Sequence, residues 1–162
     1  MTLRICWRHL APACTLLLGA SWLSSNAQTS PALSVAPPAQ VAIKRGGQAD
    51  LKLKAEVRAG FHVNSNTPAD EFLIPLKLTW PKEPVEVEQV TYPKPQLEKF
   101  AFSTNPVSVF TGNFEIVTRF KVPANAQPGA VPVTGKLRFQ ACNEKECLPP
   151  RTIDVRVTLD IQ

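Results

Sequence analysis

The stretch Ile153-Asp154-Val155-Arg156-Val157-Thr158-Leu159-Asp160-Ile161 alternates apolar and polar residues without a break. Successive side chains of a β-strand point to opposite faces, so this pattern places five aliphatic residues on one dry face and four polar ones in water. The same period of two recurs upstream. Leu51, Leu53, Ala55 and Val57 alternate with Lys52, Lys54, Glu56 and Arg58, and Val85 and Val87 alternate with Glu86 and Glu88. Ile116, Thr118 and Phe120 alternate with Val117, Arg119 and Lys121, and Leu137 and Phe139 alternate with Lys136, Arg138 and Gln140.

Turn signals separate these runs: Arg45-Gly46-Gly47, Ala59-Gly60, Trp80-Pro81, Thr111-Gly112-Asn113 and Gln127-Pro128-Gly129. No window carries a 3.6-residue apolar stripe with helix caps. The 16 prolines would disrupt helices but are tolerated at strand ends and edges. Seven to nine short strands at this spacing predict an all-β chain, an antiparallel β-sandwich, with a small barrel as the competing architecture.

The N-terminus has a different character. Met1 to His9 carries Arg4 and Arg8 and no acid, Leu10 to Leu23 is largely apolar, and Ser25-Asn26-Ala27 offers a small-x-small cleavage pattern. That order is the order of a secretory signal peptide, and an apolar stretch of about 14 residues is short of the roughly 20 needed to span a bilayer. Residues 1–27 are therefore expected to be a signal peptide. Residues 28–40, rich in Ser, Pro and Ala, are expected to be a flexible leader, and residues 41–162 the folded domain.

Cleavage after Ala27 removes Cys6 and Cys14 and leaves Cys142 and Cys147 as the only cysteines. It also removes Arg4 and Arg8 from the 18 basic residues, leaving 16 against 13 acidic ones, a formal charge of +3. With no basic run and 7% aromatics, the composition gives no support for nucleic-acid binding. No further apolar stretch is long enough for a membrane span. An exported chain meets an oxidising compartment, where two thiols are by default joined.

Cys142 and Cys147 flank Asn143-Glu144-Lys145-Glu146 and are followed by Leu148-Pro149-Pro150. Continued alternation puts Cys142 on the polar parity of its strand, and four polar residues suit a turn, so the pair is expected at an exposed hairpin-like corner and not in the core. Three chemistries compete for it. A zinc site needs about four ligands, against two cysteines and a distant His62, so no metal and no cofactor is expected. A structural disulfide closing so short a loop would stabilise by roughly 2 kcal/mol, against about 4.7 for a 100-residue loop. A redox-active disulfide would be attacked by an incoming thiolate through a mixed disulfide. Lys145 would favour a thiolate and Glu144 and Glu146 would oppose one, so the neighbouring charges leave the choice open.

The segment Gly135-Lys136-Leu137-Arg138-Phe139-Gln140-Ala141-Cys142, four residues, then Cys147-Leu148-Pro149-Pro150 resembles the active-site signature of the periplasmic N-terminal domain of thiol:disulfide interchange protein DsbD. Gly60-Phe61-His62-Val63-Asn64-Ser65-Asn66-Thr67-Pro68 and Phe72-Leu73-Ile74-Pro75 are similar to members of that family, and Tyr92-Pro93 and Phe110-Thr111-Gly112 follow in the same order. The resemblance implies an immunoglobulin-like sandwich with the cysteines in a hairpin at one end. It implies a periplasmic module that takes electrons from a thioredoxin-like domain of a membrane thiol reductase and passes them to periplasmic disulfide isomerase-like proteins. Cys147 would be the exchanging sulfur and Cys142 the resolving one, with Gln140, Asn143, Pro149 and Pro150 flanking the site. Phe110, Thr111 and Gly112 stand where a cap loop would shield the disulfide, with Ser108 and Val109 in place of two acids. Since neither a multi-span membrane domain nor a thioredoxin-like domain accompanies the sequence, a detached module working with separate proteins, or a relative with another partner, is expected.

His62 reads as a structural histidine or a proton shuttle, and Trp80 and Phe72 as core residues at strand ends. The reading from a different class is an exported adhesion or binding module with an inert disulfide.

Overall fold

The computed structural model describes residues 30–162 apart from 37, 39 and 102. The expected signal peptide lies outside the described residues. Twelve strands and no helix are found among those described: β1 (Leu33–Val35), β2 (Val41–Ile43), β3 (Gln48–Val57), β4 (His62–Asn64), β5 (Lys77–Thr79), β6 (Glu86–Thr91), β7 (Gln96–Glu98), β8 (Val107–Phe110), β9 (Asn113–Lys121), β10 (Gly129–Phe139), β11 (Ala141–Cys142) and β12 (Arg151–Ile161). They form three four-stranded sheets ordered β1-β3-β9-β6, β2-β12-β10-β5 and β11-β4-β8-β7. Every named pairing is antiparallel except that of β2 with β12. The fold is an immunoglobulin-like antiparallel β-sandwich.

The alternation read from the sequence is the alternation of burial. In β3, Leu51, Leu53, Ala55 and Val57 are buried while Lys52, Lys54 and Glu56 are exposed. In β12, Val155, Val157, Leu159 and Ile161 are buried. The inner faces pack two apolar clusters. One gathers Leu53, Ala55, Val57, Ile116, Leu137, Phe139 and Val155 toward the cysteine end. The other gathers Leu51, Phe120, Val133, Val157, Leu159 and Ile161. Trp80 packs against both clusters, with its indole edge-on to Phe120 at 5.1 Å between centroids. Its Nε1–H donates to Thr118 Oγ1 at 3.0 Å, which accounts for a fully buried threonine in the core. Gly135 lies under the same indole: a Cβ there would come within 2.7 Å of the ring, so only glycine lets β10 pass this close.

Two expectations are corrected. Residues 28–40 are not wholly a leader: Leu33–Val35 is β1, paired with Val57–Ala55 of β3, and Leu33 is buried in the first cluster. A short apolar pair inside a Pro- and Ala-rich segment shows too little period to be read as a strand. Phe72 is 84% exposed and not a core residue, because the Asp70 turn (Phe72 N–H to Asp70 Oδ1, 2.9 Å) turns it outward on the connection from β4 to β5. The alternation read at Val85–Glu88 holds, and β6 departs from it beyond Glu88. A bulge between Val87 and Gln89 lets Val90, rather than Gln89, return to the inner side.

Candidate thiol–disulfide exchange site

The third sheet builds the site. β10 runs as a long strand against β12 and β5 as far as Phe139; after Gln140 the chain changes sheets, and β11 pairs with β4. Ala141 lies opposite Val63 and Cys142 opposite His62. The chain then turns back. Asn143 N–H donates to Glu146 O at 2.9 Å, and Leu148 N–H donates to Ala141 O at 2.8 Å. Asn143 Oδ1 accepts from the backbone N–H groups of both Lys145 (2.8 Å) and Glu146 (2.9 Å), which fixes a tight turn with Glu144 and Lys145 at its tip.

Cys142 and Cys147 are thereby set directly opposite one another, Cα atoms 3.9 Å apart, and joined by a disulfide. Their environments differ. Cys142 has 0% of its surface exposed, whereas Cys147 and the turn residues Glu144, Lys145 and Glu146 are exposed. The expected exposed corner therefore holds for Cys147 and fails for Cys142. The polar-face parity of Cys142 assumed an unbroken β10. The change of sheet after Gln140 moves β11 beside β4, where both faces of the strand are covered, and all three residues of β4 are buried.

A polar network braces this junction. Gln140 Nε2–H donates to Leu148 O at 3.3 Å, and Gln140 Oε1 accepts from Asn64 Nδ2 and Ile74 N at 3.5 Å each. Asn64 also donates to Ile74 O at 3.0 Å. One glutamine side chain thus ties the segment after Cys147 to β4 and to the connection before β5. Pro149 and Pro150 are exposed and lead into β12.

Of the residues expected to cap the disulfide, Phe110 lies in the same sheet as the cysteine turn, opposite Val63, which is itself opposite Ala141. Phe110 is a buried core residue of β8, 3% exposed and stacked on Phe114 at 4.9 Å. Thr111 donates to Gln96 Oε1 at 2.9 Å, and Gly112 takes a left-handed φ of 56° at the turn into β9. Order along the chain pointed to this tripeptide; Phe110 ends β8, and Thr111 and Gly112 connect it to β9. Phe100, between β7 and β8, packs on the strand partner of Cys142. Its ring stacks on the His62 imidazole with centroids 4.1 Å apart and planes 22° from parallel. Phe100 was missed because a single aromatic in an aperiodic connection carries no positional signal.

His62 is 3% exposed, and burial holds its pKa below the ordinary histidine value of 6.5. The imidazole is therefore neutral at neutral pH. No group of three or more metal-ligating side chains is assembled among the described residues, and no helix among them is long and apolar enough to cross a membrane.

Comparison with known proteins adds the following. The sequence profile described as "Thiol:disulfide interchange protein DsbD, N-terminal" matches residues 30–159. No curated protein matches the sequence. Among solved structures, the N-terminal periplasmic domain of ScsB from Proteus mirabilis is similar with a TM-score of 0.51 at 12% identity, over 76% of this chain and 43% of that one. The chain thus spans less than half the length of that relative. The N-terminal domain of DsbD from Neisseria meningitidis, in the reduced form, is similar with a TM-score of 0.46 at 15% identity, over 79% of this chain and 82% of that one.

Proposed function

Because this chain belongs to the family of DsbD N-terminal domains, we propose that it works in the periplasm as a thiol–disulfide exchange module, relaying electrons through its Cys142–Cys147 pair. The donor is a thioredoxin-like domain or protein fed by a membrane thiol reductase. The acceptors are periplasmic oxidoreductases of the disulfide isomerase kind.

The observation that carries this reading is the unequal burial of the two sulfur-bearing residues. Exchange needs one sulfur that an incoming thiolate can reach and one that leaves and returns. Cys147 is exposed at the end of the turn, and Cys142 is buried beside His62. An incoming thiolate attacks Cys147 Sγ, the Cys142–Cys147 bond breaks, and the electron pair departs on Cys142. In reverse, Cys142 attacks the mixed disulfide at Cys147 and expels the partner. Phe100 takes the shielding role expected of Phe110: its ring lies over His62, the residue opposite Cys142. Displacing that ring when a partner docks would open the pair.

Trapping tests the assignment. With Cys142→Ser, the free Cys147 is expected to form a stable mixed disulfide with a thioredoxin-like domain and with specific periplasmic proteins. Only non-specific adducts, together with a wild-type disulfide that such a domain does not reduce, would favour an inert bridge in a binding module.

A further inference from the structure

Among the described residues, His62 is the buried ionisable side chain to which the exchange steps above give no task. Two residues directly opposite in an antiparallel pair hold their side chains on one face, with Cβ atoms about 4.5–5.5 Å apart. His62 and Cys142 are such a pair, and Cys142 is in turn directly opposite Cys147. The imidazole, Cys142 and Cys147 therefore follow one another across three adjacent strand segments. The Phe100 ring stacks on the imidazole, centroids 4.1 Å apart.

We propose that His62 is the proton acceptor for Cys142, taking the thiol proton as Cys142 attacks the mixed disulfide at Cys147. The proposal rests on the exchange reading above. The Cys142 S–H bond breaks and an N–H bond forms on the imidazole. The Cys142 thiolate bonds to Cys147 Sγ, and the bond from Cys147 to the partner sulfur breaks. The electron pair leaves on the partner sulfur, which takes up a proton as the imidazolium gives its own back. The Cys142–Cys147 pair is oxidised and the partner is reduced.

The surroundings fit this role. A thiol buried among apolar groups resists ionising, so Cys142 needs a nearby acceptor to act near neutral pH. Burial keeps the His62 imidazole neutral and therefore able to accept. A thiolate and an imidazolium formed side by side in a site of low dielectric stabilise each other. The ionisable groups on the segments around the imidazole are Glu98 and Lys99 beside Phe100, and Glu144, Lys145 and Glu146 on the cysteine turn. Glu98 is half-buried and the other four are exposed, and β8 brings none.

The test uses the reduced full chain and the chromogenic disulfide dithiobis(nitrobenzoate). Cys147 releases the first equivalent of aryl thiolate, and attack by Cys142 releases the second. His62→Phe keeps a ring to stack on Phe100 and removes the acceptor. It is expected to slow the second release relative to the first by about 10²-fold. The pH profile of that release is expected to move up toward an unassisted thiol, about pH 8.5. A second release equal to wild type in rate and pH profile would overturn the proposal. A wild-type chain giving no first release would sink the exchange reading itself, which is a different result.

Should His62→Phe not fold, the wild type still decides. The NMR titration of the His62 ring is expected to show, in the reduced chain, a second inflection from its coupling to Cys142 that the oxidised chain lacks. Superimposable titration curves in the two redox states would overturn the assignment.

Discussion

Phe100 and His62 lie ring on ring, 4.1 Å between centroids, and His62 is the strand partner of Cys142. In the proposed function the shielding role falls to Phe100, on the connection between β7 and β8, while Phe110 in β8 is buried in the core. Phe100→Ala and Phe110→Ala should separate these roles. Phe100→Ala is expected to speed reduction of the disulfide by a small dithiol several-fold, with little loss of stability. Phe110→Ala is expected to lower stability by about 3–5 kcal/mol. Reduction rates and urea unfolding of both variants check the pair.

Leu33 belongs to the fold although the sequence around it reads as a leader. Its side chain is buried against β3 in the cluster nearest the cysteines. Leu33→Ala is expected to cost about 2–5 kcal/mol, measured by urea unfolding. An unchanged midpoint would return residues 28–40 to the status of a leader.

Asn143 holds the cysteine turn with two hydrogen bonds to its side-chain oxygen, from Lys145 and Glu146. Asn143→Ala is expected to cost about 1 kcal/mol per lost bond at most, since the freed N–H groups reach water. The disulfide should also re-form more slowly after reduction, because the sulfurs are no longer held opposite. Quenching reoxidation at timed intervals with an alkylating reagent reads this out.

Stability should depend on pH through His62. Burial lowers its pKa in the folded chain, so around and below the ordinary value of 6.5 the unfolded chain binds more protons than the folded one. The contribution is full above about pH 6.5 and is lost as the pH falls through the folded value. Asp50, paired with Arg119, and Asp154, paired with Lys136, also have lowered values, but their contribution is lost only below the ordinary 3.8. The urea midpoint is therefore expected to fall between about pH 7 and pH 5, and His62→Phe to flatten that segment of the curve. A wild-type midpoint level across that range would contradict the burial of a neutral imidazole.

What could be read from the sequence followed from periodicity. The strands through Leu51–Val57, Leu137–Phe139 and Ile153–Ile161 were legible because one face of each is dry, and the period of two records that directly. The cysteine turn was legible because the four residues between the cysteines are all polar and suit a turn. The burial of Cys142 was not, because it depends on the change of sheet after Gln140, a tertiary event with no local signature. β1 was hidden for the same reason: three residues gain their structure from pairing with β3, not from their own pattern. Phe100 is set by the packing of a connection against β4, and nothing in its neighbours announces that contact.

The central claim is that the Cys142–Cys147 disulfide exchanges electrons with thioredoxin-like partners. The most direct measurement is its reduction potential in the full-length chain, by equilibration against dithiol buffers of known potential with alkylation of the free thiols. An exchange site should lie within reach of thioredoxin-like donors, at about −270 mV or above. A value well below about −300 mV would be that of an inert structural bridge and would contradict the account.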